Sequence, residues 1–552
     1  MSQLLDPTSN ESKYAKLASA AIIGAITPTS VRLWFRVYMP GEWVLVVTTT
    51  PLSGDLQRLD ELPVADFLKK HKIKPVFVQA QKFSFDSDLT GVFAVTGLKA
   101  QSTYYYALIS SETDHLIIRR RTEIGADSPK NFITPAINPE TLTFGFYSCH
   151  DPISADGSAG AWPLLHQQLI DQRAQFVIGG GDQMYVDTNK KNGFLDIWEW
   201  LKENKQALLA HYKKGNSYDK PGIEQYLLNI YRWYYRVYWN IPTLREVYEQ
   251  FPQYMIWDDH EIMDGWGSLT NKERQKRISL LFESTSNGPT NQMLVDLMWR
   301  AACRAYYEYE HSHNPVTSIN LDKPDDCHWD YAFEQGGSAF YVLDMRGHHD
   351  IEANDPHKIL GSAQMKRFKD WLNSAVVQSA KAVFIVSPVP VMHWNNAVTN
   401  GADFGSLKDD CMDEWDHKSN LAERKVLLDQ VYAALGKSAK PVVFLSGDVH
   451  CAAVFRLLHK QYPAAKVFQV TSSAISRLPA PDMLKMAISG GGEMPGIANM
   501  VCERWYAMAG AKNFALLSVR PSLDGQQTEV LVELHWPSGE DGELTKRRVV
   551  LK

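Results

Sequence analysis

The sequence predicts an α/β protein in which a small all-β region precedes a larger region of alternating strands and helices. The first observation is that short apolar segments with strand-like alternation fill the chain up to about residue 125. The second is that strands alternate with helical stretches from about residue 141 onward. The third is that several apolar strands of the second region end directly in acidic, imidazole, thiol or phenol side chains. Such strand ends indicate a ligand site at the carboxyl edge of a sheet.

Length, composition and charge limit the class of protein. A chain of 552 residues is too long for one simple core, so two or more domains are expected. Hydrophobic residues make up 45% of the chain and charged residues 22%, as in ordinary globular proteins. The net charge of −6 argues against a general nucleic-acid-binding surface.

The N-terminus and the cysteines predict the location of the protein. The first residues are acidic and polar, without a basic stretch or a twin-arginine signal, and no segment is long and apolar enough to span a bilayer. The six cysteines show no paired C-x-x-C spacing, which favours free thiols in a reducing compartment. We therefore predict a cytoplasmic protein without a membrane span.

The segment 14–125 is predicted to be a β-sandwich that follows a disordered tail at residues 1–13. In "SVRLWFRV", alternation places four apolar residues on one face: Val31, Leu33, Phe35 and Val37. In "LKAQSTYYYALIS", Tyr104 follows a leucine turn and is predicted to form a tyrosine corner. These features resemble those of fibronectin-type-III and immunoglobulin-like sandwiches.

A proline-rich linker at residues 126–140 is predicted to lead into a catalytic domain at residues 141–552. Within this domain, residues 194–312 are interpreted as a helical insert rich in Trp and Tyr, including "YRWYYRVYW". This aromatic run favours helix packing over a platform for stacking bases. The segments "GSAFYVLDMRG" and "AKAVFIVSPVPV" are predicted core strands with a helix between them.

Polar side chains follow four predicted core strands. The strands and residues are "LTFGFYSC" with Cys149, "AQFVIGGGDQMY" with Asp182 and Tyr185, "PQYMIWDDH" with Asp259 and His260, and "PVVFLSGDVH" with Asp448 and His450. One strand that ends in polar residues means little. Four strand ends with ligand-type side chains indicate that these side chains converge on one edge of a sheet. We predict that these residues bind metal ions.

The residue types suggest roles within such a cluster. Asp182 could simply cap a helix, but the two oxygens of a carboxylate can also bridge two cations about 3.5–4 Å apart. Asp448 and His450 are two residues apart, so on extended backbone they would point the same way. Cys149 and Tyr185 could be packing residues, or a thiolate and a phenolate that suit a Lewis-acidic ion such as ferric iron.

The segment "WDDHE" offers an oxygen ligand beside a proton donor. We expect Asp259 to bind metal and His260 to protonate a leaving oxygen, since the ordinary pKa of imidazole, about 6.5, suits that task. For Asp258 and Glu261 a structural ion-pair role is preferred. Arg346 and Arg424 are candidates for gripping phosphate, although a salt bridge at either position is an equal alternative.

The order of the motifs "SCH", "GGDQMY", "WDDHE", "LDMR", "SPVPV" and "SGDVH" resembles the PhoD-like branch of the calcineurin-like metallophosphoesterases, the alkaline phosphatase D or phosphodiesterase group. The resemblance covers most of the chain. It implies an N-terminal β-sandwich followed by a four-layer αββα catalytic domain, in which two stacked sheets are flanked by helices.

The resemblance also implies a dinuclear or trinuclear site that contains iron(III) and calcium. Iron would be held by Cys149, Asp182 and Tyr185, with Asp182 bridging to the second ion. Asp448 and His450 would complete the cluster, Asp259 would be a further ligand and His260 a proton donor.

The chain departs from the branch at three positions. Asp264 stands where an asparagine is common, which leaves the ligand on the calcium side open. His150 and Asp151 follow the cysteine where other residues are usual, so other divalent ions are also open.

The function predicted from these features is hydrolysis of a small-molecule phosphate monoester or diester by a metal-bound water. Arg346 or Arg424 would neutralise the phosphate oxygens and His260 would protonate the leaving group. Two alternatives stay open. One is a binding scaffold with a degenerate metal site that acts through its β-sandwich. The other is a phospholipid-directed phosphodiesterase whose aromatic-rich insert forms an apolar cleft wall.

Overall fold

The computed structural model describes most of the chain, in the following ranges: 16–51, 64–110, 122–124, 130–153, 158–187, 196–280, 288–395, 398, 412–538 and 543–552. The predicted tail at residues 1–13 and Cys411 lie outside the described residues. Within these ranges no helix is both long and apolar enough to cross a membrane. Sheets and helices are mixed along the chain, which confirms the predicted α/β class.

The described residues of the N-terminal part form eight strands and one α-helix. They are β1 (Ala20–Thr27), β2 (Ser30–Arg36), β3 (Gly41–Thr48), α1 (Val64–Lys70), β4 (Pro75–Phe83), β5 (Thr90–Thr96), β6 (Thr103–Ser110), β7 (Thr122–Ile124) and β8 (Lys130–Ile133). One sheet has the order β1-β2-β5, and the other has the order β4-β3-β6 with both β7 and β8 paired to β6.

The two N-terminal sheets share one hydrophobic core, and the alternation within β2 explains how. The predicted inward face is buried in this core, which contains Val31, Leu33, Phe35 and Val37. Trp34 points to the opposite side, where it joins the core that also contains Phe144 and Tyr309. Its indole nitrogen donates a hydrogen bond to the carbonyl of Glu308 at 2.7 Å. Strand β2 is therefore buried on both faces.

Part of the predicted linker is a strand. Lys130–Ile133 pairs with β6, because Phe132 provides an apolar side chain at an inward position. The Phe132 ring stacks on Tyr104, with 5.6 Å between the ring centroids. The Tyr104 hydroxyl accepts a hydrogen bond from the backbone N–H of Lys99 at 2.8 Å, which confirms the predicted tyrosine-corner contact.

The next part of the chain contains three core strands, a short hairpin and most of the helices. The elements are β9 (Leu142–Tyr147), α2 (Trp162–Asp171), β10 (Phe176–Gly180), α3 (Ile197–His211), β11 (Lys213–Lys214), β12 (Ser217–Tyr218), α4 (Lys220–Tyr238), α5 (Pro242–Gln250), β13 (Gln253–Ile256), α6 (Asn271–Arg277) and α7 (Gly288–Tyr309).

The remainder is dominated by strands. The elements are β14 (Tyr331–Gln335), β15 (Ser338–Val342), α8 (Gly361–Leu372), α9 (Ala375–Ser379), β16 (Val383–Val386), α10 (Leu421–Leu435), β17 (Pro441–Ser446), β18 (Ala452–His459), β19 (Lys466–Ser472), β20 (Gly491–Glu493), β21 (Met500–Met508), β22 (Phe514–Pro521), β23 (Thr528–Ser538) and β24 (Glu543–Leu551).

Two large sheets form the centre of this second part. One has the order β13-β10-β9-β22-β23-β24, and its first three strands are parallel. The other has the order β14-β15-β16-β17-β19-β18-β21-β20, and β15, β16, β17 and β19 are parallel in it. The motif strands were expected to share one sheet edge. That expectation is wrong, because β9, β10 and β13 belong to the first sheet and β17 to the second.

Strand β17 connects the two layers of core. Val443 and Leu445 lie in the core that also contains Phe144 of the other sheet. Val442 and Phe444 point the opposite way and share a second core with residues of α8 and α10. Burial on both faces explains why the strand is a continuous apolar run.

The aromatic run of α4 is packing, as the sequence favoured. Its tyrosines and tryptophan are buried, and the Tyr235 ring stacks on Tyr309 of α7 at 4.6 Å between centroids. These rings lie inside the core and therefore offer no aromatic wall to a substrate.

Candidate metal centre

The polar residues that follow the four motif strands meet in one cluster. The Cys149 thiol donates to Asp182 Oδ2 at 3.3 Å, and the Tyr185 hydroxyl donates to the same oxygen at 2.9 Å. The Tyr185 oxygen also lies 3.3 Å from Nε2 of His450. Residues from both large sheets therefore converge around the Asp182 carboxylate.

Three groups of side chains in this cluster have the geometry of metal ligands. In each group the ligand atoms lie within 4.8 Å of one another; the groups are Cys149–Asp182–His450, Asp182–Asp259–His260 and Asp182–Asp258–Asp448. Asp182 belongs to all three, which is the arrangement expected of a bridging carboxylate. Each group combines two buried residues with one that is partly exposed, so the cluster is open to solvent on one side.

Several ligand candidates sit on unusual backbone. Cys149, Asp182, Asp448 and His450 have positive φ angles of 57°, 58°, 63° and 52°. For non-glycine residues this conformation costs on the order of 1 kcal/mol or more at each position, and it concentrates at functional sites. The cost is offset by backbone hydrogen bonds such as that from Cys149 N to Gly181 O at 3.1 Å.

The left-handed turn at Asp448 and His450 corrects one prediction. The backbone was expected to be extended, so that both side chains would point the same way towards one metal region. Instead, Asp448 reaches the group that contains Asp258, whereas His450 reaches the group that contains Cys149. The tight turn, in which His450 N donates to Asp448 O at 2.8 Å, divides the two residues between neighbouring positions.

The charge of the cluster fits cations. Within the three ligand groups, buried carboxyl oxygens without a hydrogen-bond partner among the described residues occur on Asp182 (Oδ1) and Asp258 (Oδ2). Burial and the neighbouring carboxylates raise the pKa of Asp182 and, more strongly, that of Asp448. A bound cation would accept these lone pairs and oppose these shifts. The donor set therefore fits metal ions.

Arg346 supplies the main positive charge beneath the cluster. It is 1% exposed and pairs with Asp258 through Nε, with Asp413 through Nη1 at 2.8 Å, and more distantly with Asp259 through Nη2 at 3.6 Å. Burial raises the pKa of Asp259, but Arg346 and His260 outweigh burial and lower it. These contacts favour a positioning role for Arg346 over the predicted contact with phosphate.

Arg424 is likewise occupied. Its guanidinium is fully buried, pairs with Asp416 and donates to the Pro495 carbonyl at 2.7 Å. These contacts favour the salt-bridge role of Arg424 over a contact with phosphate.

Asp258 has the predicted ion pair, whereas Glu261 has a different role. Asp258 does form an ion pair, with Arg346, but it also belongs to one of the three ligand groups. Glu261 accepts backbone hydrogen bonds from Asp258 at 2.8 Å, from Asp182 at 3.2 Å and from Gln183. One buried carboxylate thus joins the turn after β10 to the turn after β13, in place of the predicted ion pair.

His260 is oriented by a residue that the sequence reasoning did not single out. Its Nδ1 lies 2.8 Å from Oδ1 of Asp187, and its ring packs on Tyr185 at 4.1 Å between centroids. Burial lowers the pKa of His260, but Asp187, Asp259 and Asp182 raise it well above the ordinary value. Asp187 lies two residues after Tyr185, just beyond the motif "GGDQMY", and this position was the available signal.

The residues at which the chain departs from the related branch lie beside the ligand groups. His150 is buried, with Nδ1 2.8 Å from the Ser476 hydroxyl and Nε2 3.0 Å from the Tyr238 carbonyl. Asp264 pairs with Arg277 at 3.2 Å and is in none of the three groups.

Arg477 is a second residue that was missed. Its guanidinium lies over the Tyr185 ring at 4.2 Å and pairs with Asp151 at 2.6 Å. Arg477 follows β19, which is parallel to β17, so the strand-end rule used for the other motifs could have found it.

Known proteins resemble this chain in sequence. The family model described as "PhoD-like phosphatase" matches residues 144–489, well over half of the chain. Alkaline phosphatase D of Bacillus subtilis is 24% identical over 371 residues, which cover 64% of this chain and 52% of that protein. The uncharacterized protein YGR266W of Saccharomyces cerevisiae is 23% identical over 406 residues, which cover 61% and 57% respectively. The chain spans about half the length of these curated relatives.

A solved structure described as "Structure of PhoD" shares the fold. It has a TM-score of 0.61 and 18% sequence identity, and the alignment covers 100% of this chain and 91% of that one. The family match, with its extent and its coincidence with the four motif strands, establishes that the chain belongs to the PhoD-like phosphatase family.

Proposed function

We propose that this protein is a metal-dependent phosphoric ester hydrolase that acts on small-molecule phosphate monoesters or diesters. The observation that carries the proposal is that Asp182 is shared by three groups of ligand-type side chains. Family membership supports the reaction class.

The donor atoms suggest which ion each part of the cluster would hold. Cys149, Tyr185 and His450, with Asp182, offer sulfur, phenol and imidazole donors, which suit iron(III). Asp258 and Asp448 offer only oxygens, which suit calcium. When bound, such ions acidify a coordinated water and offset the charge of the phosphate. We propose a dinuclear or trinuclear site, with Asp259 as a further ligand.

The remaining residues orient and move protons. The hydrogen bond between Asp187 and Nδ1 of His260 fixes the ring and leaves Nε2 as the atom that gives a proton to the leaving oxygen. The backbone contacts of Glu261 hold the turns that carry Asp182 and Asp258 in register. Arg346 pairs with Asp258 and Asp259 and holds both side chains in place.

We also propose a domain architecture for the chain. It consists of a β-sandwich at 14–125, a linker at 126–140 that is shortened by β8, and a four-layer αββα domain at 141–552 with a helical insert at 194–312. The shared core of the two N-terminal sheets and the shared core of the two large sheets support it. The binding-scaffold alternative has less support because the ligand groups are intact. The phospholipid alternative has less support because the aromatic run is buried.

The test combines metal content with turnover. The purified chain should contain bound metal by elemental analysis and should hydrolyse p-nitrophenyl phosphate or bis(p-nitrophenyl) phosphate. Asp182→Ala and Asp448→Ala should abolish turnover with the fold retained. The matched control is Asp429→Ala, because Asp429 makes an exposed ion pair with Lys425 on α10. Undiminished turnover in both site variants would refute the proposal.

A further inference from the structure

We propose that Arg477 binds the phosphate group of the substrate and makes the enzyme prefer phosphomonoesters over phosphodiesters. This inference rests on the proposed function and narrows it to one class of ester.

Arg477 lies next to the ligand groups without belonging to them. Its guanidinium covers the Tyr185 ring at 4.2 Å, and the Tyr185 hydroxyl contacts Asp182 and His450 in the centre of the cluster. The positive group is therefore one aromatic ring away from the shared carboxylate. A cation over an aromatic face is favourable, so this position is stabilised before substrate arrives.

The guanidinium is held on one side and open on the other. Nη1 pairs with the fully buried Asp151 at 2.6 Å, while the Arg477 side chain as a whole is 25% exposed. Arginine has five N–H donors in a planar fork, and one carboxylate oxygen occupies only part of it. The outer edge of the fork can therefore grip two phosphate oxygens at once.

The backbone that carries Arg477 is fixed to the site itself. Arg477 N donates to the Cys149 carbonyl at 3.2 Å, and Ile475 N donates to the Ser148 carbonyl at 2.9 Å. Three residues beyond Arg477, Ala480 N donates to the His450 carbonyl at 3.0 Å. Because the segment is tied to the turns after β9 and β17, the arginine keeps its place relative to the ligand groups.

The other two candidate arginines are not available in this way. Arg346 is enclosed by Asp258, Asp259 and Asp413, and Arg424 is fully buried against Asp416. Of the three arginines, Arg477 alone combines a contact with a ligand candidate and an exposed edge.

The charge of the substrate connects this position to the class of ester. A phosphomonoester has three terminal oxygens and a charge of about −2 near neutral pH. A diester has one terminal oxygen fewer and a single negative charge. An additional guanidinium at the edge of the cluster therefore stabilises a bound monoester more than a bound diester.

The test compares Arg477→Gln and Arg477→Lys with a matched control, Arg520→Gln. Arg520 also pairs with one carboxylate, Glu529, and is partly exposed, but it lies where β22 pairs with the start of β9, away from the strand ends that carry the site. For each protein we would measure kcat and KM for p-nitrophenyl phosphate and bis(p-nitrophenyl) phosphate, binding of inorganic phosphate by calorimetry, metal content and Tm.

We expect Arg477→Gln to lower kcat/KM for the monoester by about 10- to 100-fold and to weaken phosphate binding by a similar factor, since a hydrogen bond to a charged group is lost. The diester should lose no more than about threefold, and Arg477→Lys should recover part of the monoester activity because it retains the charge. Metal content should match that of the control, whereas Tm should fall because the buried Asp151 carboxylate loses this cation.

Unchanged monoester kinetics, equal losses for both esters, or loss of bound metal would each overturn the assignment. Absence of turnover in the wild-type protein with both esters would refute the proposed function instead. In that case phosphate binding still decides the role of Arg477: weaker binding by Arg477→Gln supports it, and equal binding overturns it.

Discussion

The Asp187 carboxylate lies 2.8 Å from Nδ1 of His260, on the far side of the imidazole from the atom that would face a leaving group. An aspartate in this position fixes the tautomer of the ring and stabilises its protonated form. In the proposed mechanism the two residues form an acid unit, of which only His260 was apparent from the sequence.

Replacing Asp187 with asparagine should affect poor leaving groups selectively. We expect kcat for phenyl phosphate to fall by about 100-fold, the lower limit for loss of a positioned general acid, because an alkoxide-like leaving group needs a proton. p-Nitrophenyl phosphate, whose leaving group departs without one, should lose far less. The measurement is kcat for both esters, with metal content as a control. A uniform loss for both esters would contradict the acid role.

Glu261→Gln should weaken metal retention as well as stability. The substitution replaces one carboxylate oxygen, which accepts from backbone N–H groups, with an NH₂ group that donates. Each buried donor left without a partner costs about 1–3 kcal/mol. Calorimetric Tm and metal retained after dialysis against a chelator would be measured.

Glu423→Gln is the matched control for this change. Glu423 is buried and accepts from the backbone of Ile359 and Leu360, both at 2.9 Å, away from the ligand groups. It should lower Tm without lowering metal retention. If both variants retained metal equally, Glu261 would be only a structural residue.

Cys149→Ser should reduce iron content more than calcium content. The thiol is the sulfur donor of the Cys149–Asp182–His450 group, whereas the Asp182–Asp258–Asp448 group contains only oxygens. Serine is a weaker ligand for iron, and elemental analysis of both metals measures the change. Cys303→Ser on α7 is the control, because Cys303 is buried outside the three groups. Equal loss of both metals would argue against separate donor sets.

The buried His393 predicts loss of stability in acid. Burial lowers its pKa to about 3, and neither ring nitrogen has a hydrogen-bond partner among the described residues. The unfolded chain therefore takes up a proton below its ordinary pKa of about 6.5 while the folded chain does not. This contribution to stability is complete above that pH and is lost progressively as pH falls towards 3.

The check is the slope of the free energy of unfolding between pH 6 and pH 4 (about 1.4 kcal/mol per pH unit for one proton). His393→Phe should reduce this slope by the contribution of one proton, about 1.4 kcal/mol per pH unit. Identical slopes for wild type and His393→Phe would contradict the assignment.

The residues that sequence reasoning identified share a local signature. Cys149, Asp182 and His450 each follow a core strand within a few residues, so a rule about strand ends finds them. The rule does not say which sheet a strand joins, and β17 was therefore placed in the wrong one. The two-sheet arrangement depends on pairings between distant strands.

The residues that were missed act through long-range contacts. Asp187 contacts His260 across 73 positions of sequence, and Arg477 pairs with Asp151 across 326. Neither pairing has a local pattern. Arg346 also has no local pattern that shows its partners. Its predicted contact with phosphate depended on whether carboxylates would surround it in the fold.

Strand β2 is buried on both faces, and this limits how the protein can be truncated. Trp34 projects out of the N-terminal core and lies 6.0 Å from Trp239 and 5.7 Å from Tyr309, measured between ring centroids. Removing the N-terminal sheets would uncover a patch of aromatic rings on the helical part that follows them, and such patches promote aggregation. The N-terminal sheets are thus an integral wall of the protein, and the two parts cannot be exchanged as independent modules.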